Sequence, residues 1–142
     1  MLAVPGVASA KLTWKQALVM YVNTFRVHNH RASVHINTRL STAAQAHSNN
    51  MARYRLFSHT SSNGVDWARR IRYYGYRGSY IGENLAVGQF TPSGTFRAWY
   101  NSSMHRSVML NWPYRSIGIG LTRGYYNGRW AYYITADFGG LR

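Results

Sequence analysis

The C-terminal third of the chain alternates with the period of a β-strand, and this limits the fold more than any other feature of the sequence. Residues 117–121 read Ile-Gly-Ile-Gly-Leu, which predicts a strand whose glycine face lets another element pack very close. Large apolar and polar residues then alternate over 130–138. Between the two runs stands Asn127-Gly128, the strongest short signal for a hairpin turn. The sequence therefore predicts an antiparallel hairpin at the C-terminal end.

The part of the chain before this hairpin carries helical signals. Thr13 can cap a helix whose apolar stripe runs Trp14, Leu18, Val22 and Phe25, at spacings of four, four and three. Further helices are predicted near 41–54, 65–74 and 93–100, with a helical turn ending at 110 and a strand at 80–86. Helices followed by a terminal hairpin indicate an α+β fold, with helices packed on a small antiparallel sheet.

Length favours one domain, and the N-terminus resembles the end of a secretory signal. The chain has 142 residues and 16.3 kDa, the size of a single domain with a substantial core. Residues 1–10 are small and apolar and close in Ala8-Ser9-Ala10, which resembles a signal-peptide cleavage site. We therefore expect residues 1–10 to be a remnant of a signal peptide, residues 11–142 to be the domain, and the protein to be secreted or in the cell envelope.

The charge of the chain is strongly one-sided. Seventeen Lys and Arg stand against three Asp and Glu, giving a net charge of +14. So few carboxylates nearly exclude dicarboxylate catalysis and all-oxygen calcium sites. The excess of positive charge favours polyanionic partners, namely anionic cell-wall or surface polymers, lipid headgroups or nucleic acid. The alternative is that arginine serves only solubility. The absence of Cys excludes disulfides and thiolate metal sites.

Three titratable residues are candidates for a functional site. His59 follows the second predicted helix in a loop held by Phe57, His105 lies in a polar run after Trp99, and Glu83 is the only Glu in the chain. Two His and one Glu can bind zinc with an open coordination position, but their spacing carries no local metal signature. His47, on the inward stripe of the second helix, is interpreted as a hydrogen-bonded core residue. The histidines between residues 28 and 35 are interpreted as solvated loop residues.

A series of short motifs resembles the CAP superfamily, the group of sperm-coating, cysteine-rich secretory, antigen 5 and pathogenesis-related proteins. The chain is most similar to the cysteine-free bacterial branch. Order and spacing hold from about Trp14 to Gly139. The matching stretches are Val22–Arg26, Ala43–Ala52, Phe57–Thr60, Arg70–Ile71, Gly75–Tyr76, Gly82–Gly88, Trp99–Asn111, Ile117–Gly120 and Asp137–Gly139.

The resemblance implies a three-layer α-β-α sandwich and a shared cleft. It places His59, Glu83 and His105 in that cleft, with Ser102 and Asn84 beside them. Many members of the family add a second Glu and bind zinc or another divalent cation. In this chain the corresponding position, near Ser102, has no carboxylate. A site for zinc or another divalent cation at His59, Glu83 and His105 is therefore an expectation with an incomplete ligand set.

An Arg- and Tyr-rich stretch, residues 69–80, is the most distinctive local feature. Arg69, Arg70, Arg72 and Arg77 are candidates for polyanion binding, because arginine binds phosphate or sulfate bidentately and stacks on rings. The alternative is that this stretch is a structural helix and loop whose Arg residues are merely solvated.

Three functions remain open from the sequence. The first is a secreted binding module with a His/Glu cleft and a basic surface for anionic polymers or lipid headgroups. The second is a metal-dependent hydrolase of peptidase or esterase type, in which His59 and His105 hold a metal that lowers the pKa of its bound water and Glu83 is a ligand or general base. The third is a nonspecific nucleic-acid binder using the Arg/Tyr stretch. The lack of a complete ligand set favours the binding module.

Overall fold

The computed structural model of the protein describes residues 11–88 and 90–141; the signal-like residues 1–10 lie outside this range. Within the described residues the chain forms five helices and four strands. They are α1 (Trp14–His28), β1 (His35–Ile36), α2 (Thr38–Tyr54), α3 (Trp67–Tyr73), β2 (Tyr80–Gly88), α4 (Pro92–Tyr100), α5 (Ser103–Met109), β3 (Ser116–Tyr126) and β4 (Arg129–Gly140). None of the helices over this part of the chain is both long and apolar enough to cross a membrane.

Side-chain caps set where the helices begin. Thr13 and Gln16 form a capping box at α1, as the sequence predicts. Helix α2 begins a few residues before its predicted start, because the Asn37 side chain accepts a hydrogen bond from Leu40 N. Asp66 caps α3 in the same way. These caps satisfy amide groups that would otherwise lack partners in the first turn.

The sheet has the strand order β1-β3-β4-β2 over the described residues. Strands β3 and β4 form the predicted hairpin, with positive φ at both Asn127 and Gly128, as a type I′ turn requires. Strand β2 pairs antiparallel with β4. The prediction of an antiparallel sheet missed β1, which pairs parallel with β3 and makes the sheet mixed. A strand of two residues is too short to show any alternation.

Helices cover both faces of the sheet. Ile134, Ala136 and Phe138 of β4 point to the side of α1, α4 and α5, where they join a core with Leu18 and Trp99. The intervening residues of β4 point to α2, because consecutive strand residues alternate between faces. The result is the α-β-α arrangement that the motif resemblance implies.

The predicted glycine face of β3 allows α2 to lie directly on the sheet. A Cβ atom built on Gly118 would fall 2.1 Å from the Leu40 backbone, and one built on Gly120 would fall 2.2 Å from the Ala44 carbonyl oxygen. No side chain fits at either distance. The close approach fixes the position of α2, whose C-terminal end leads into the loop that carries His59.

Arg26 ties α1 to the segment after α5. It is fully buried, and its guanidinium donates to the carbonyl oxygens of Ala32, Met109, Asn111 and Tyr114 at 2.7–3.0 Å. Burial, with help from the charge of a neighbouring arginine, lowers its pKa to about 10, so the guanidinium stays protonated at neutral pH. These contacts hold the α5 region, which carries His105, against the rest of the domain.

Candidate functional site

The candidate site lies along β2, an edge strand of the sheet. Glu83 and Asn84 are neighbours on β2 and therefore point to opposite faces. Glu83 is paired in register with Asp137 of β4, on the face covered by α2 and α3. Asn84 points to the face of α4 and α5. The strand thus presents one polar group to each helical layer.

Glu83 binds His59 and Arg70 at once. His59 Nδ1 lies 2.8 Å from Glu83 Oε1, and Arg70 Nη1 donates to Glu83 Oε2 at 2.5 Å. Arg70 Nη2 also donates to the His59 carbonyl oxygen at 2.7 Å. The Glu83 side chain is 1% exposed, whereas that of His59 is 49% exposed. The carboxylate is therefore internal, and the imidazole is the part of this cluster that meets solvent.

The pKa values of the Glu83 and Asp137 carboxyls are shifted in opposite directions. Burial acts to raise the pKa of Glu83, but the hydrogen bond with His59 and the charge of Arg70 outweigh it and hold that pKa well below its usual range. Asp137 is fully buried, and burial together with the charge of Glu83 raises its pKa well above the usual range. Two buried carboxyls packed side by side disfavour ionisation of both, and the charged form is favoured at Glu83. Glu83 is thus the carboxyl that pairs directly with the Arg70 guanidinium.

His47 supports the loop that carries His59. Its Nε2 lies 2.6 Å from the Ser58 carbonyl oxygen, so Nε2 carries the proton and donates. Burial and the charge of Arg70 lower the pKa of His47 to about 4, which keeps the ring neutral. The interpretation of His47 as a hydrogen-bonded core residue is confirmed, because the residue is fully buried.

His105 is held by its own helix and by β2. The Ser102 hydroxyl caps α5 and lies 2.8 Å from His105 Nδ1. Asn84 Nδ2 donates to the His105 carbonyl oxygen at 3.0 Å. Burial is the main cause that lowers the pKa of His105, with a smaller electrostatic effect of His59.

These side chains do not fit a three-ligand metal site. Over residues 11–88 and 90–141, no three His, Asp or Glu residues are grouped so that they could hold a metal ion. In the same part of the chain, the hydrogen-bond partners of the Glu83 carboxylate are His59 and Arg70. A dication at this carboxylate would have to displace or lie beside the Arg70 guanidinium, which carries the same sign of charge.

The Arg-rich stretch does not act as one surface cluster. Arg69 and Arg77 are exposed, but Arg70 is 4% exposed and paired with Glu83. Its prediction as a polyanion-binding residue is wrong, because a buried guanidinium cannot reach a polymer. Arg72 Nη1 donates to the carbonyl oxygens of Tyr76 and Gly78 and so closes the loop after α3. Arg69 and Arg77 remain as candidates.

Sequence reasoning missed the partners that set the charge of the site. Arg70 and Asp137 lie within motifs that match the CAP family, but no pattern in the neighbouring sequence indicates that either residue contacts Glu83. Asp137 alternates with apolar neighbours on β4, and the pairing of that strand with β2 would have indicated its contact. For Arg70, the only available signal was its position on the inward side of a short helix beside Ile71, which is fully buried.

Comparisons with known proteins agree with this fold. YkwD of Bacillus subtilis (strain 168) is 30% identical over 112 residues, which are 79% of this chain and 44% of that protein. The membrane protein YlbC of the same organism is 27% identical over 114 residues, covering 80% of this chain and 33% of its own length. The chain spans less than half the length of these curated relatives.

Solved structures of other proteins have the same fold. An extracellular protein containing a SCP domain from Bacillus anthracis str. Ames superimposes with a TM-score of 0.73 at 24% identity, over 89% of this chain and 40% of that one. An outer surface protein from Borrelia burgdorferi superimposes with a TM-score of 0.75 at 21% identity, over 93% of this chain and 98% of that one. At such identities the likeness establishes the fold.

The family assignment rests on most of the domain. The sequence profile of the CAP family, described as the cysteine-rich secretory protein family, matches residues 19–138. This range contains every element from within α1 to within β4, together with Glu83, His59 and His105. The chain belongs to the CAP family.

Proposed function

We propose that this chain is an extracellular binding module that holds anionic surface polymers on its basic exterior. An extracellular location is supported by the descriptions of its structural neighbours as an extracellular protein and an outer surface protein. It is also consistent with the signal-like residues 1–10. The proposal concerns this domain, whatever further parts the whole protein has.

One observation carries the proposal: the carboxylates of the chain do not balance its surface charge. Glu83 and Asp137 are buried beside Arg70, which pairs directly with Glu83. Asp66 is the third acid, and its Oδ1 is engaged in capping α3. Ten exposed cations of the described residues therefore face solvent with almost no opposing charge, and a surface of this kind attracts polyanions. They are Lys11, Arg39, Arg53, Arg55, Arg69, Arg77, Arg97, Arg115, Arg123 and Arg129.

The His59–Glu83 pair favours binding over hydrolysis. Glu83 is a poor general base, because Arg70 and His59 hold its pKa well below the usual range and so weaken its affinity for a proton. The Ser102–His105 contact is explained by the cap of α5. What remains exposed is the His59 ring, which can donate to or accept from a ligand. This supports a recognition role for the cleft.

The test is binding to heparin as a model polyanion. We expect binding in low salt, with an affinity that falls steeply as salt increases, because association releases counterions. If residues 69–80 contribute specifically, changing Arg69 and Arg77 together to Gln should weaken heparin binding at least about threefold more than changing Arg53 and Arg97 together to Gln. Isothermal titration calorimetry at three salt concentrations measures both effects.

One outcome would count against this function, and a second would count only against a local site. No heparin binding at low ionic strength would exclude polyanion recognition. Equal losses from the two double variants would mean that a diffuse field, with no local site at Arg69 and Arg77, drives the binding. A second experiment measures binding to vesicles with and without anionic headgroups. A preference for the anionic vesicles over heparin would favour lipid headgroups over polymers as the partner.

A further inference from the structure

We propose that a second pocket, remote from His59 and Glu83, binds one carboxylate-bearing sugar ring of an anionic polysaccharide. The pocket has a volume of about 430 Å³, within the range of roughly 300–1,000 Å³ typical of small-molecule sites. It lies between the start of α1, the start of α4 and the β3–β4 hairpin. Its principal lining residues are Trp14, Phe90, Pro92, Arg123, Trp130 and Tyr132.

The pocket lies on the face of the sheet opposite to the Glu83 cluster. Trp130 and Tyr132 have the same parity on β4 as Ile134, whose side chain joins the core beneath α1. Asp137 has the other parity and faces α2. Because alternate strand residues point to opposite faces, a ligand in this pocket would not touch His59 or Glu83.

Aromatic rings form the walls of the pocket. Trp14 and Tyr132 meet edge to face, with their ring centroids 6.1 Å apart. Trp130 is 44% exposed, which is unusual for so large an apolar side chain in a strand that is otherwise mostly buried. Flat aromatic surfaces with polar edges suit partners that have one apolar face and polar groups at their rim, and a pyranose ring has this character.

Arg123 gives the pocket its preference for an anion. Its guanidinium carbon lies 4.8 Å from the centre of the Trp130 ring, and Arg123 is paired in register with Tyr132 across the hairpin. A guanidinium held against a ring keeps its outward N–H groups available for a bidentate contact with a carboxylate. None of the lining residues is acidic, so the pocket would attract an anion and repel a cation.

A uronic acid residue combines these two features in one unit. Its ring could lie against Trp130 while its carboxylate meets Arg123. This inference rests on the proposed function, because it names the repeating unit of an anionic polymer that the basic exterior would attract. The exposed arginines would supply affinity along the chain, and the pocket would supply selectivity for a ring that carries a carboxylate.

The probe is a tetramer of galacturonic acid, with maltotetraose as the neutral sugar. We expect saturable binding of the tetragalacturonate by calorimetry, with a change in tryptophan fluorescence, and binding of maltotetraose at least about tenfold weaker, as expected for loss of a charge-assisted contact. Trp130→Ala should weaken uronate binding about tenfold or more, in the range of a lost stacking contact. Arg123→Gln should remove the preference for the charged sugar.

Matched variants separate the pocket from the general charge of the surface. Trp112 is 63% exposed and lies outside the pocket, so Trp112→Ala should leave uronate binding unchanged. Arg53 lies 5.4 Å from the Tyr54 ring in a comparable arrangement on α2, so Arg53→Gln should retain the preference for uronate. Thermal unfolding verifies that each variant is folded, and Arg123→Gln, at an exposed position of β3, provides the test if Trp130→Ala fails to fold.

Several results would overturn the pocket proposal. These are equal binding of the charged and neutral tetramers, equal losses from Arg123→Gln and Arg53→Gln, or tighter binding of an oligothymidylate than of tetragalacturonate in a manner that depends on Trp130. The last would assign the pocket to nucleic acid. Salt-dependent heparin binding that persists without uronate binding would refute the pocket alone, whereas loss of both would refute the proposed function as well.

Discussion

Arg70 Nη1 lies 2.5 Å from Glu83 Oε2, and both side chains are almost completely buried. The same guanidinium donates to the backbone of His59 and lies 3.8 Å from Asp137. One arginine therefore neutralises the Glu83 carboxylate, holds the loop of the exposed histidine, and lies beside a second buried carboxyl. The charge of the cleft depends on this pair more than on the histidines.

The first prediction concerns the stability that this pair provides. Glu83→Gln removes the direct partner of the buried Arg70 charge and leaves Asp137, 3.8 Å away, as the nearest carboxyl, so we expect the free energy of unfolding to fall by up to about 3–5 kcal/mol, the range for a broken buried pair. Urea denaturation at pH 7 measures the change. Asp66→Asn removes the same charge from an exposed position and keeps a good capping residue, and should change stability by less than about 0.5 kcal/mol. Similar losses in the two variants would contradict a special role for the buried pair.

The second prediction is a pH dependence from His47. Its pKa is about 4 in the folded protein against about 6.5 in the unfolded chain. The contribution of neutral His47 to the free energy of unfolding is complete above about pH 6.5. It is lost as the pH falls towards 4, because the unfolded chain binds the proton more readily than the folded protein does. The loss reaches about 3 kcal/mol. His47→Gln should remove this part of the acid dependence between pH 7 and pH 4.5.

The exposed His28 at the end of α1 provides the control for that measurement. As an exposed His→Gln change, His28→Gln should leave the free energy of unfolding at pH 7 within about 0.5 kcal/mol of the parent protein. If His47→Gln keeps the full parental slope, then His47 is not the group that takes up the proton.

The third prediction concerns zinc. Because Arg70 occupies one oxygen of Glu83 and His59 the other, we expect zinc to bind more weakly than about 10 μM, far below the affinity of complete zinc sites. His59→Ala should weaken it further, since the exposed imidazole is the best ligand left. Competition with a zinc-sensitive dye measures both affinities. Stoichiometric binding below micromolar concentrations would show that the cluster rearranges around the ion.

The fourth prediction tests the contact between α2 and the sheet. Gly120→Ala places a Cβ atom 2.2 Å from the Ala44 carbonyl oxygen, and backbone cannot yield as a side chain can. We expect a loss of about 1–3 kcal/mol or more, measured by thermal unfolding. Gly94→Ala, in α4 and with its nearest neighbour at 3.2 Å, should be neutral or slightly stabilising because alanine favours helices. A neutral Gly120→Ala would show that α2 is free to move away from β3.

The sequence by itself determined the local elements and the family. The capping box at Thr13, the turn at Asn127-Gly128 and the glycine face of β3 are set by residues close together along the chain, and the structure confirms each of them. Such signals act over a few residues, because caps and turns depend on local backbone geometry. The CAP motifs, which occur in order along the chain, also indicate His59, Glu83 and His105 as candidate site residues.

Only the tertiary structure decided which of these groups is charged, buried or available. His59 and Glu83 are 24 positions apart, and Asp137 meets Glu83 through the pairing of β2 with β4. The pKa of a carboxyl depends on its burial and on the charges packed against it, and neither is a property of neighbours in sequence. For that reason Arg70, interpreted from sequence as part of a basic surface, lies inside the domain as the partner of Glu83, and Asp137 lies beside them as a second buried carboxyl.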